Sequence, residues 1–141
     1  MTQYITVVFA LALCSMVASC ATIGQRRVSF AVSSEQFIEG DAIVIREVVS
    51  TSGDLRLGDK VVVRGDYQLQ SHAKAALCLF ITTRGPSRAT AVLPQQRVEV
   101  AAGRGHFELQ HELHDAGALH ISFYPLPSGS SFGGVYFGAT R

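Results

Sequence analysis

Four histidines fall within fifteen residues of this chain, His106, His111, His114 and His120, with Glu108 and Glu112 interleaved among them. Imidazole and carboxylate are ligands that a borderline cation such as Zn²⁺ accepts, and imidazole is the usual general base near neutral pH. Strand alternation sorts these residues. If 106–111 pairs with 119–124 across a loop near Asp115, Phe107 faces Phe123 and Leu109 faces Ile121. His111 then shares the core-facing parity, while His106 and His120 point outward. On that outer face His120 stands opposite Gln110, with Glu108 and Glu112 on the diagonals within side-chain reach. His106, Glu108 and His120 are therefore the candidate metal set, and they would support a metal carrier or a metal-dependent hydrolase. The H-E-x-x-H spacing that converges two imidazoles on one helix face is absent. A solvated polar strand face accounts for the same residues, and the sequence requires no metal and no other cofactor.

Other chemistries find less. No serine sits in a G-x-S-x-G turn with a base in prospect. The glycine-rich stretch Ser128 to Gly134 follows Pro125-Leu126-Pro127 and opens a strand, so the helix N-terminus that would draw a phosphate is missing and a flexible loop is expected. Asp41, Asp54, Asp59 and Asp66 lie at turns and strand ends, where aspartate is an ordinary turn former. Cys78, inside the apolar run Ala75 to Ile81, reads as a small buried hydrophobe. The aromatics speak more for binding than the ionisable groups do. Phe80, Tyr124 and Tyr136 fall out of phase with the core residues, on a face that is either open to a partner or buried on both sides. No catalytic constellation emerges, and a non-enzymatic protein is expected.

The elements that must position these residues are strands. Val28 to Val32 alternates, and Ala42 to Val49 is a β-branched run introduced by Glu39-Gly40-Asp41. Ser34 to Phe37 has room for one helical turn. Lys60 to Gln70 puts Val61, Val63, Tyr67 and Leu69 on one face and Arg64, Asp66, Gln68 and Gln70 on the other. Paired with 75–83 through a loop at His72-Ala73-Lys74, it sets Leu69 opposite Leu77, Tyr67 opposite Leu79 and Gly65 opposite Ile81. Further strands are expected at 97–101, with a turn at Gly103, and at 135–138. Seven or eight strands without helices predict an all-β fold, an antiparallel two-sheet sandwich, with a small barrel as the alternative. The architecture resembles the immunoglobulin-like sandwich broadly, without the paired cysteines and buried Trp of antibody-type domains.

The N-terminus carries a different signal. Ile5 to Ala18 is almost wholly apolar and uncharged, about 14 residues, where a membrane-spanning helix needs roughly 20 and a secretory h-region about 7 to 15. Val17-Ala18-Ser19-Cys20 resembles the lipobox of bacterial lipoproteins, although no Lys or Arg precedes it. The resemblance implies a signal peptide over 1–19, cleavage before Cys20 and acylation of Cys20, with Cys14 lost and Cys78 left unpaired. It also implies a lipid anchor in the cell envelope and, because Ala21 is not the aspartate of an inner-membrane retention signal, an outer-membrane location if the cell has two membranes. A short spacer over 20–27 and one domain over 28–141 follow. All 12 Lys/Arg and 11 Asp/Glu lie beyond the signal segment without runs of one sign, which excludes a nucleic-acid partner. Beyond the membrane itself, the expected partner is another envelope protein or a cell-wall glycan.

Overall fold

The computed structural model describes residues 24–83 and 92–140. The signal peptide expected over 1–19, the lipobox-like Val17-Ala18-Ser19-Cys20 and the acylation expected at Cys20 all fall outside these residues. Among the described residues seven antiparallel strands form the fold: β1 (Arg26–Arg27), β2 (Phe30–Gln36), β3 (Ala42–Ser50), β4 (Lys60–Thr83), β5 (Arg97–Glu112), β6 (Gly117–Tyr124) and β7 (Gly133–Ala139), with a 3₁₀ turn at Pro94–Gln96 before β5. They make one continuous sheet in the order β1-β3-β4-β6-β7-β2, with β5 on the remaining side of β4. The fold is all-β and antiparallel, and the sheet curls into a half-barrel.

Chain geometry explains the curl. β4 is 24 residues long, which would be about 75 Å if it were straight. Yet β5 ends with Glu112 opposite Lys60, at one end of β4, and β6 begins with Gly117 opposite Thr83, at the other. Five residue steps bridge at most about 18 Å. β4 must therefore bend back so that its halves face each other. The bend falls where the register with β5 slips between Leu69 and Lys74. It is pinned by Asp41, whose carboxylate accepts hydrogen bonds from the Gln70 amide at 2.7 Å, the Ser71 amide at 3.0 Å and the Ser71 hydroxyl. Val61, Val63, Leu69, Leu77, Leu79, Leu109, Ile121 and Phe123 then close one core, each fully shielded from water.

Several expectations are corrected by this arrangement. Residues 60–70 and 75–83 do not form a hairpin; they are the two halves of one strand. His72-Ala73-Lys74 contains none of the Gly, Asn or Asp residues that a tight turn requires, so the strand bends without reversing. Likewise 97–101 and 106–112 are one strand, because Gly103 takes a φ of 111° within β5 and absorbs the irregularity without starting a turn. Strands β5 and β6 do not pair with each other. Leu109 lies opposite Val63, whereas Phe123 lies opposite Leu77 and Ile121 opposite Leu79. Gly65 receives the ring of Phe107, not Ile81, and any side chain there would also meet the Val44 carbonyl. Ser34 to Gln36 is strand, and Arg26 and Arg27, expected as the end of a spacer, form β1 against Ser50 and Val49.

The half-barrel stays open along one seam. The β1–β3 ladder continues to Val28, whose amide donates to the Val48 carbonyl at 2.9 Å, and then β2 leaves β3 for β7. The same register carried further would set Val32 opposite Val44. Their separation leaves both half exposed.

Candidate functional site

On the outward parity of the second half of β4, the register lines up two rows of side chains across four strands. One row runs Phe80, His120, Tyr136, Ser34; the next runs Cys78, Ser122, Gly134, Gln36. The strand period of two explains the membership, since His120, Ser122 and Tyr124 alternate with the buried Leu119, Ile121 and Phe123. The rings of His120 and Tyr136 lie 4.9 Å apart and 32° from parallel, Phe80 is 5.9 Å from His120, and Tyr124 meets Phe80 edge-on at 5.5 Å. The Thr82 hydroxyl lies 3.2 Å from His120 Nδ1 and 3.5 Å from the Tyr136 hydroxyl.

Beside this aromatic wall is a cleft of about 360 Å³, floored by Gly133 and Gly134 and edged by Ser34, Glu35, Gln36, Ser122, Ser131 and Phe132. Gly134 is required by close approach. A Cβ there would collide with the Ser122 hydroxyl and the Ile121 carbonyl, so any side chain would force the floor upward. The far wall is held by Phe132. Its amide donates to the Phe123 carbonyl at 3.0 Å, and its ring stacks on Phe123 at 5.7 Å on one contact and on His72 at 4.0 Å on another. The segment expected to be a flexible loop thus ends as a packed wall.

The electrostatics of this face are quiet. Among the described residues no Lys or Arg lines the cleft, and Glu35 is the one carboxylate. Burial pushes the pKa of His120 down, outweighing a hydrogen bond with the Ala118 backbone, so the neutral imidazole is favoured at neutral pH. Burial pushes the Tyr124 hydroxyl up, helped by Cys78 and Tyr136. Cys78 itself is buried at the β4 end of the second row, and desolvation raises its thiol to about 11 against a smaller opposing pull from Arg97. Since the thiolate is the nucleophile, Cys78 is expected to resist a disulfide-exchange reagent at pH 8 until denaturant exposes it. Rapid stoichiometric labelling of the native protein would contradict this placement.

The structure separates the candidate metal set. Without a β5–β6 pairing, His120 belongs to the cleft, while His106 and Glu108 lie on β5 against the first half of β4. His106 Nδ1 is 2.6 Å from Asp66, which also accepts from Arg46 at 2.7 Å. Glu108 accepts from Arg64 at 2.7 Å, and Arg64 donates to Glu47 at 2.8 Å. That pairing, with Arg64 the larger influence, holds the Glu108 carboxyl below its usual range. These pairs are largely exposed and contribute little stability individually. Among the described residues no three His, Cys, Asp or Glu side chains converge as a metal site. His111 does point inward, as its parity requires, and its Nδ1 is buried without a hydrogen-bond partner.

Sequence patterning placed Phe80, Tyr124 and Tyr136 on one face and left out Ser34, Gln36 and Ser122. Ser122 was accessible to the same alternation, midway between His120 and Tyr124. Ser34 and Gln36 were hidden by assigning their segment to a helical turn.

The fold and its surface define a small antiparallel half-barrel with an open cleft that is polar on one side and aromatic on the other. No protein-family model, curated protein or solved structure matches this chain.

Proposed function

We propose that this protein is a non-enzymatic binding module, tethered to the outer membrane of a bacterial envelope by lipid on Cys20, and that it binds through the cleft between β6, β7 and β2. The observation that carries the reading is the row Phe80, His120, Tyr136 and Ser34 beside an open cleft. Aromatic rings and convergent uncharged polar groups in a concave site are the usual makings of recognition. The lipobox-like Val17-Ala18-Ser19-Cys20 supports the tether. Because β1 begins at Arg26, only six residue steps separate Cys20 from the folded domain, at most about 22 Å. Ser34 and Gln36 stand toward the end of β2 remote from that anchor, about 13 and 20 Å along the strand from Phe30. The module therefore binds close to the membrane, with its cleft displaced from the lipid.

The test is photocrosslinking of the full chain in intact cells, with a photoreactive residue in place of Tyr136 and, as control, in place of Arg56 on the opposite half. A discrete product from position 136 alone is expected. In a Cys20→Ser background acyl labelling should vanish, the protein should leave the membrane fraction and the product should fade. Unchanged membrane partitioning of Cys20→Ser would remove the tether, and equal products from both positions would remove the cleft.

A further inference from the structure

Resting on the reading of the cleft as the binding face, we infer that its ligand is a neutral sugar ring, one saccharide unit of a glycan. The lining chemistry selects it by elimination and by fit. Among the described residues that line it, an anion would find no Lys or Arg and a cation would find only Glu35. A wholly apolar ligand would strand the polar groups of Ser34, Gln36, Ser122 and Ser131 without hydrogen bonds, at a cost in desolvation. A pyranose offers both required surfaces: its axial C–H groups form an apolar face that lies on an aromatic ring, and its rim carries hydroxyls that both donate and accept. The cleft supplies the same pair, with the Tyr136 ring at its wall and hydroxyl and amide groups at its edge. Serine and glutamine side chains also donate and accept, so they match a hydroxyl in either orientation. A volume of about 360 Å³ lies at the small end of ligand sites, suited to one or two rings and not to a long segment of chain. The glycine floor is consistent with this demand, because a side chain at Gly134 would disturb Ser122 and close the space in which a ring would lie.

The experiment uses the full chain in detergent micelles and two kinds of probe: purified peptidoglycan sacculi, and soluble neutral oligosaccharides that include β-1,4-linked N-acetylglucosamine oligomers and glucans. Saturable binding to at least one neutral probe is expected, weakened about tenfold or more by Tyr136→Ala and by Gln36→Ala. A polyanionic saccharide such as polygalacturonate should bind more weakly than either. Gln36 is exposed, so its variant keeps the fold and separates ligand contact from stability. Binding to sacculi and to N-acetylglucosamine oligomers but not to glucans would assign the sugar to the cell wall, and binding to soluble glucans alone would assign it to a surface polysaccharide. The inference is overturned if no neutral saccharide binds, or if both variants bind as the wild type does. Should position 136 still crosslink to a protein in that case, the cleft remains the binding face and only the sugar assignment fails.

Discussion

Phe123→Ala is expected to destabilise the fold by about 3–5 kcal/mol, the range for removing a fully buried aromatic side chain and leaving a cavity. Phe123 has no exposed surface and sits where three parts of the molecule meet. It lies opposite Leu77 in the second half of β4, it pairs with Gly133 at the start of β7, and its ring stacks on Phe132. The loss has two components. One is the transfer free energy of the ring, and the other is the contacts forfeited by the neighbours that cannot collapse into the space. Set against a total of about 5–15 kcal/mol for a domain of this kind, such a change lowers the melting temperature on the order of 10–20 °C. Thermal and urea denaturation of the full chain will measure it. Because Phe132 loses its support, the cleft wall should loosen as well, and ligand affinity should fall even at temperatures where the variant is folded. A cost below about 1 kcal/mol would mean that the core closes around the gap, contrary to the packing described.

Asp41→Ala is the second large effect, about 2–4 kcal/mol at neutral pH, and it differs in kind because it acts on the bend in β4. The carboxylate is nearly buried and accepts from two backbone amides and a hydroxyl, so alanine leaves the Gln70 and Ser71 amides without partners at the point where the strand turns back. Burial by itself would raise this carboxyl group's pKa. The hydrogen bonds from Ser71 and Gln70 favour the ionised form more strongly, and the pKa lies below the ordinary 3.8. A carboxylate depressed in the folded state contributes stability that is complete above its unfolded pKa and is lost as pH falls through the folded one. The advantage of Asp41 should therefore be whole at pH 7 and shrink below about pH 4. Asp41→Asn, which keeps the shape and removes the charge, isolates this part. The stability gap between wild type and Asp41→Asn, measured by urea denaturation, should be smaller at pH 3 than at pH 7. A gap that stays constant across that range would show that the charge contributes nothing to holding the bend.

Secondary structure was legible in the alternation of side chains, and its partners were not. The runs at 42–49, 60–69, 75–83, 106–111 and 119–124 are strands, and the last four keep the core parity that the sequence implies, because alternation is a local property with a period of two; in 42–49 a bulge between Ile45 and Glu47 shifts the core face from Ile43 and Ile45 to Val48. Pairing is a choice among edges, and here the local cues pointed to hairpins that the chain does not make. Ser71 to Lys74 and Ala101 to Gly105 look like interruptions, yet both stay within continuous strands. One reason lies elsewhere in the chain: the Asp41 carboxylate stabilises the first irregularity from 29 residues away. No reading of residues 70–74 alone could supply that partner.

The same division runs through the candidate site. The outward disposition of His106 and His120 follows from parity and holds, but their nearness required a β5–β6 ladder that does not exist. The residues themselves determined an all-β chain, the inward and outward assignment of most side chains, and a lipobox-like N-terminus. Only the tertiary structure decided that β4 serves both halves of the curled sheet. That choice carried His106 and Glu108 into an exposed ion-pair ladder and His120 into an aromatic row with Phe80 and Tyr136. The physical reason is that side-chain direction is set by the backbone of each strand, whereas proximity is set by the path that buries one apolar face of a sheet too long to lie flat.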